Sequence, residues 1–304
     1  MLRFIQLDVF TSTPFIGNPL AIVLVPAKSS LSQEQKQLIA REFNLSETVF
    51  LHELEENTTE STFTIDIFTT TEELPFAGHP TVGSGFYLLS RWPHLEQITL
   101  HTRAGDIPVV RAPGGGVRLN APIDFKVHPR LSISSVKELQ PRLCDSDYLN
   151  GMSGSEGCAS VVKGMTFLLL ALSSEEALAQ LQPYPTRLEI PAAERTSLGE
   201  WGVGFAGIYA FYEVPSNDGL ISIRTRMFDG PLEDPATGSA ACTLAGWLAS
   251  QKGPGLHEFK IIQGVEMGRR SDITVAVDVD DMQRIKSIAL EGEAVEVMEG
   301  AVHV

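Results

Sequence analysis

HPTVGSGFYLLSRW (residues 79–92) and DPATGSAACTLAGW (residues 234–247) lie over one another without a gap, at a constant offset of 155 from His79 against Asp234 to Trp92 against Trp247. Pro80 meets Pro235, Gly83 meets Gly238 and Ser84 meets Ser239, and each stretch follows a run of alternating strand character, 65–68 or 221–224. Each copy opens on a polar residue followed by proline and small residues, the pattern of a helix N-terminus. Small side chains there leave the unpaired backbone N–H groups open to a ligand, and the helix dipole favours a carboxylate at that end. The duplication therefore predicts two related halves, each aiming an anion-receptive helix start at a common cleft. An Asp at a helix start reads on its own as a cap. A His is a poor cap, so the pairing implies a different reason for the polar residue in both copies.

On either side of these helices the chain reads mostly as strands. Residues 3–10, 20–25, 48–51, 61–68, 97–102 and 107–111 are strand candidates, and in 61–68 Phe63, Ile65 and Ile67 alternate with polar residues. Residues 32–43 space Leu38, Ile39 and Phe43 for an amphipathic helix capped by Ser32 and ending near Asn44. The Gly- and Pro-rich run 112–122 is the boundary candidate, giving an N-terminal lobe over 1–120 and a C-terminal lobe over 121–304 whose last strands can pack on the other lobe. In the second half, strands are expected at 159–162, 166–172, 203–214, 220–226, 259–263, 272–277 and 287–296, with helices at 174–181 and 236–250.

Composition limits the function. With 43% hydrophobic and 20% charged residues the 304-residue chain is globular, and its formal net charge of −15 argues against a phosphate-binding surface, so nucleic acid is not an expected partner. The longest apolar runs fall well short of the roughly 20 residues of a spanning helix, and Asp8 interrupts the first ten residues where a signal peptide needs an apolar stretch. A cytoplasmic protein without a membrane partner is expected. Cys144, Cys158 and Cys242 form neither a CxxC pair nor an even set, which suggests reduced thiols and no zinc site, with Cys242 in the core.

Five stretches, DVFTSTPFIGNPLAIV (8–23), NLSETVFL (44–51), FTTTEELPFAGHPTVGSGFYL (68–88), EDPATGSAACTLAGWL (233–248) and QGVEMGRRS (263–271), resemble in order the PhzF-like proteins, relatives of diaminopimelate epimerase. The resemblance extends across nearly the whole chain. It implies an α+β fold of two pseudosymmetric lobes, each a mostly antiparallel barrel-like sheet around a central helix, a site in the cleft between them, and a homodimer. On this reading residues 80–90 and 236–250 are the central helices, consistent with their being apolar nearly all round.

The resemblance also implies the site. Glu47 of the ETVFL segment falls on the family's general acid/base, with His79 and Asp234 as further catalytic groups, and Asn18, Ser46, Gly78, Gly238 and Ser239 fall on positions that hold substrate. The diaminopimelate epimerase itself uses two thiols, one from each lobe. Here no cysteine stands at either helix start, so thiol chemistry is disfavoured. The chemistry implied is a cofactor-independent isomerisation of a small carboxylic or amino acid-like substrate, in which one carboxylate removes a proton from carbon and returns it elsewhere. Burial is expected to raise the Glu47 pKa from about 4.3 toward neutrality for that work. An epimerase or racemase acting through carboxylates, and a binding or regulatory protein with little turnover, are the alternatives.

Two glycine motifs carry no cofactor. GGG at 114–116 lacks the following Lys of a phosphate loop and reads as a hairpin turn. GVGFAG at 202–207 fits GxGxxG spacing, yet the apolar run after it suits a strand better than a helix.

Overall fold

The structure, a computed structural model, describes residues 1–54, 61–187, 189, 198–202, 205–215 and 221–304. The chain divides into two compact units, Met1–Ala121 with Leu290–Val304, and Pro122–Ala289.

The first unit runs β1 (Leu2–Val9), β2 (Asn18–Val25), α1 (Gln33–Phe43), β3 (Thr48–His52), β4 (Thr62–Phe68), β5 (Glu73–Leu74), α2 (Gly78–Arg91), β6 (Gln97–Thr102), β7 (Gly105–Arg111) and β8 (Val117–Asn120). The second unit runs β9 (Lys126–Val127), β10 (Leu131–Ser132), α3 (Ser134–Lys137), β11 (Ser155–Ser160), β12 (Thr166–Ala171), α4 (Glu175–Gln180), β13 (Phe205–Val214), β14 (Ile221–Asp229), β15 (Leu232–Asp234), α5 (Gly238–Ala249), β16 (Gly255–Gln263) and β17 (Ser271–Val279). β18 (Ile285–Gly292) contains the division point, and β19 (Ala294–Val302) pairs antiparallel with β1.

Local sequence explains the elements. In β4 the alternation buries Phe63, Ile65 and Ile67 and leaves Thr62 and Thr64 exposed, the period of two that a half-buried strand requires. Ser32 caps α1 in a reciprocal box, its Oγ accepting from Gln35 N at 3.2 Å while Gln35 Oε1 accepts from Ser32 N at 2.9 Å. The helix stops at Asn44, in the left-handed region with φ 52°. Residues 114–116 turn β7 into β8, with Gly115 at φ 98°, a conformation that costs glycine nothing.

The core of the first unit is α2, in which only Phe86, Ser90 and Arg91 are not buried. It packs against β1, β2, β3, β6, β7, β8 and β19, strands that include both ends of the pairing order, so the sheet wraps it. Gly83 permits that closeness: a Cβ there would stand 2.5 Å from Leu20 Cδ2 and 2.8 Å from Val9 Cγ2. At about 1.5–3 kcal/mol for each fully buried large aliphatic side chain, Leu20, Val9, Val82 and Leu88 make this contact a main contributor to the unit's stability. In α5 all residues but Trp247 are buried, against β11, β12, β16 and β17.

The two units share one topology. In the first, β2–β3 are parallel, β3–β4 antiparallel, β4–β6 parallel and β6–β7 antiparallel; β12–β13, β13–β14, β14–β16 and β16–β17 repeat that series in the second. The registers fix the equivalences. Val49 faces Ile67 as Tyr209 faces Met227, and Ile67 faces Leu74 as Met227 faces Asp234. From β3 to the central helix the offset is therefore 160, as between 49 and 209, 74 and 234, or the helix starts 78 and 238.

This corrects the expected alignment of the repeat. The helices begin at Gly78 and Gly238, with Ala77 and Thr237 as caps, so His79 lies inside its helix and Asp234 ends a strand. His79 is matched by Ser239, and Asp234 by Leu74. A second correction concerns 287–296, which is two strands. The chain breaks at Glu293, whose carbonyl accepts from Phe10 N at 2.8 Å, while the Phe10 ring packs where a Cβ on Gly292 would sit. Of the GxGxxG-like run, residues 205–207 belong to β13, which removes the strand-turn-helix setting of a dinucleotide loop; residues 203 and 204, like residue 220 of another expected strand, lie outside the described residues.

Candidate active site

Five of the expected site residues lie in the first unit. Asn18 opens β2 and is buried; Ser46 and Glu47 lie just before β3, which runs parallel to β2, so the pairing brings them alongside. Ser46 Oγ lies 3.4 Å from the Asn18 side-chain amide. His79, the second residue of α2, is 3% exposed, and its Nδ1 lies 3.0 Å from Glu47 Oε2. Gly78 beside it is buried. The turn into Asn18 is tightly built: Gly17 has φ 76°, and a Cβ there would be 2.5 Å from Val9 O.

The electrostatics differ from the sequence expectation. Burial does push the Glu47 carboxyl upward, but the His79 hydrogen bond and charge, with a hydrogen bond from Ser46, outweigh it and hold the group below its ordinary value. Glu47 is thus an ionised acceptor, and His79 Nδ1 is the donor in their contact. The other ring nitrogen, Nε2, is buried and has no hydrogen-bond partner among the described residues. Nε2 is therefore the ring atom left to meet a ligand.

The second unit holds the rest. Asp234 Oδ2 accepts a short hydrogen bond from Thr237 Oγ1, and Gly238 and the nearly buried Ser239 form the start of α5. Neither α2 nor α5 has a capping side chain or an acidic residue in its first turn. The residue that the sequence reading did not single out is Gln263. It is fully buried at the end of β16, and its amide bonds to Asp234 O at 2.7 Å, Thr237 N at 3.2 Å and Tyr209 OH at 2.9 Å. The signal was there in QGVEMGRRS, a polar residue closing an alternating strand, but a lone Gln carries no period or pairing from which a role can be read.

The equivalence of the units shows that each carries a different half of the polar chemistry. Glu47 and His79 of the first are matched in the second by Gly207 and Ser239, whereas Asp234 and Thr237 of the second are matched in the first by Leu74 and Ala77. The thiols stand apart from both. Burial pushes Cys158 and Cys242 up to about 12, and Cys242 is the fifth residue of α5, past its open end. Among the described residues no group of three or more His, Cys, Asp or Glu is placed to hold a metal ion, and no helix is long and apolar enough to cross a membrane.

Residues 7–300 match the family model described as phenazine biosynthesis-like protein, PhzC-PhzF. An uncharacterized isomerase of Pasteurella multocida is 34% identical over 275 residues, covering 89% of this chain and 85% of its own. The trans-2,3-dihydro-3-hydroxyanthranilate isomerase of Pseudomonas aeruginosa is 30% identical over 306 residues, covering 99% of each chain. Among solved structures, a predicted epimerase from Pseudomonas aeruginosa superposes with a TM-score of 0.71 at 25% identity, covering 100% of both chains. Motif order, duplicated α+β topology and whole-chain similarity agree: this chain belongs to the phenazine biosynthesis-like, or PhzF, family.

Proposed function

We propose that the protein is a cofactor-independent isomerase that moves a proton within a small carboxylic acid, with Glu47 as its acid and base, His79 and Asp234 as further catalytic groups, and the start of α5 as a carboxylate-binding element. The observation that carries the reading is the part-buried Glu47–His79 contact of 3.0 Å, with an Nε2 that has no hydrogen-bond partner among the described residues. The ionised Glu47 carboxylate removes a proton from a substrate carbon adjacent to an unsaturated or carbonyl group. The electron pair left behind shifts along the substrate, and the carboxylic acid so formed, whose O–H proton exchanges with water, gives a proton to a second carbon; nothing is oxidised or reduced. Backbone N–H groups at Gly238 and Ser239 hold the substrate's carboxylate or the negative charge that develops, through hydrogen bonds that such a site strengthens. Asp234 accepts from an amino or hydroxyl group. His79 keeps Glu47 oriented and offers Nε2 to the substrate.

The naming of relatives as isomerases supports this reading, and trans-2,3-dihydro-3-hydroxyanthranilate, named for the Pseudomonas aeruginosa protein, is the first substrate to supply. Product analysis by NMR after incubation in D2O tests it, with small amino and hydroxy acids as a panel. Migration of a double bond with deuterium at the new position is the expected result. Inversion of a stereocentre without migration would show an epimerase instead, and binding without exchange would show a non-catalytic member.

A further inference from the structure

We propose that Gln263, backed by Tyr209 and Thr225, is a positioning residue that acts through Thr237 to set the rotamer of the Asp234 carboxylate; the inference rests on Asp234 belonging to the site as proposed above. The donors and acceptors at Gln263 can be assigned without ambiguity. A backbone carbonyl only accepts and a backbone N–H only donates, so Gln263 presents Nε2 to Asp234 O at 2.7 Å and Oε1 to Thr237 N at 3.2 Å. With Oε1 an acceptor, Tyr209 must donate its hydroxyl proton to it, at 2.9 Å, and Thr225 Oγ1 then donates to the Tyr209 oxygen at 3.0 Å. On the other side Gln263 Nε2 donates to Thr237 Oγ1 at 3.2 Å, which leaves the Thr237 proton to be given to Asp234 Oδ2. The side-chain bonds from Tyr209 through Gln263 and Thr237 thus run in one direction and end on the Asp234 carboxylate, while Thr237 N and Asp234 O anchor the Gln263 amide, and such directed chains reinforce one another where water is excluded. Tyr209, Thr225 and Gln263 are all fully buried.

The first unit shows that the fold does not require this row. By the strand registers, Tyr209 is matched by Val49, Thr225 by Ile65, Asp234 by Leu74 and Thr237 by Ala77. The same sheet and the same central helix close over apolar residues at those places, with Val49 and Ile65 as buried as their polar counterparts. Burying the Tyr209 and Thr225 hydroxyls where hydrophobic residues suffice carries a desolvation cost, which their hydrogen bonds offset and which a role at Asp234 explains.

Two measurements on the full chain test the proposal. The first is a double-mutant cycle in kcat/KM for trans-2,3-dihydro-3-hydroxyanthranilate. Gln263→Met lowers it about 100-fold in the wild-type background, the scale of a misplaced catalytic contact. In the Asp234→Leu background it lowers it by less than about threefold, because there is no carboxylate left to position. Equal losses in both backgrounds would make Gln263 a fold residue only and overturn the proposal. The second needs no substrate: in protein carrying 13C-carboxyl aspartate, the Asp234 resonance, assigned by its loss in Asp234→Asn, shifts in Tyr209→Phe although two side chains intervene. An unmoved resonance would overturn the proposal. Failure of the wild type to turn the compound over would count against the proposed substrate, and the resonance then decides the positioning role alone.

Discussion

Leu74 and Asp234 occupy the same place in the two units: each lies opposite the equivalent residue of the preceding strand, Ile67 or Met227, four residues before the central helix begins. One topology therefore accepts either an apolar or an acidic side chain there. Asp234→Leu is accordingly expected to fold, with a thermal midpoint within a few degrees of wild type, and to lose at least about 100-fold in kcat/KM. Thermal melts and steady-state kinetics on the same preparation check both halves of the statement.

The acid side of the pH profile follows from the sign of the Glu47 shift. Burial raises its pKa, but His79 and Ser46 outweigh burial and hold it below 4.5. The stability this supplies is present above the unfolded value of about 4.3 and is lost as pH falls through the lower folded value. The base form persists over the same range, so the acid limb of kcat/KM assigned to Glu47 lies below pH 4.5. Ser46→Ala, which removes one of the lowering hydrogen bonds, moves that limb upward. A limb near neutrality that Glu47→Gln abolishes would contradict the assignment.

Lys137 and Glu156 form an ion pair of 2.6 Å with both side chains fully buried. Lys137 Nζ also donates to Gly151 O at 2.6 Å and Gly154 O at 3.0 Å, while Asn150 Nδ2 donates to Glu156 Oε2 at 2.8 Å. Removing one charge leaves the other buried and uncompensated, so Glu156→Ala costs about 3–5 kcal/mol in urea unfolding. Replacing both residues with hydrophobic ones of similar volume costs less than the single change.

Thiol accessibility separates this protein from a two-cysteine racemase. Cys144 is exposed, and Cys158 and Cys242 are buried. A small aromatic disulfide reagent is expected to label one thiol in the native protein and three after denaturation, with activity retained after the native labelling. Loss of activity in proportion to labelling would reinstate thiol chemistry.

The sequence disclosed most of the architecture because alternation and helical spacing are local properties. β4, α1 and β6 stand within a residue of the expected limits, and the QIT-to-HT run 97–102 matches β6 at both ends. What it misplaced is the register between the halves. Gly83–Ser84 and Gly238–Ser239 look alike because buried central helices select small residues throughout, so composition alone drew the two stretches together five residues out of step with the strands that define the repeat. The Glu47–His79 pair is named from motifs, but its hydrogen bond depends on α2 packing against β3, which no motif states. The Gln263 row was not legible at all. It joins residues of β13, β14, β16 and the loop before α5, and only the folded sheet brings them together.

The most direct test of the proton-transfer account is solvent-deuterium exchange into substrate, followed by NMR for wild type and Glu47→Gln under identical conditions. The wild type should exchange at a carbon-bound position at the rate of turnover or faster, and Glu47→Gln should be slower by at least about 100-fold while remaining folded, within the range that general acid-base catalysis contributes. Exchange by Glu47→Gln at the wild-type rate would show that a different group carries the proton.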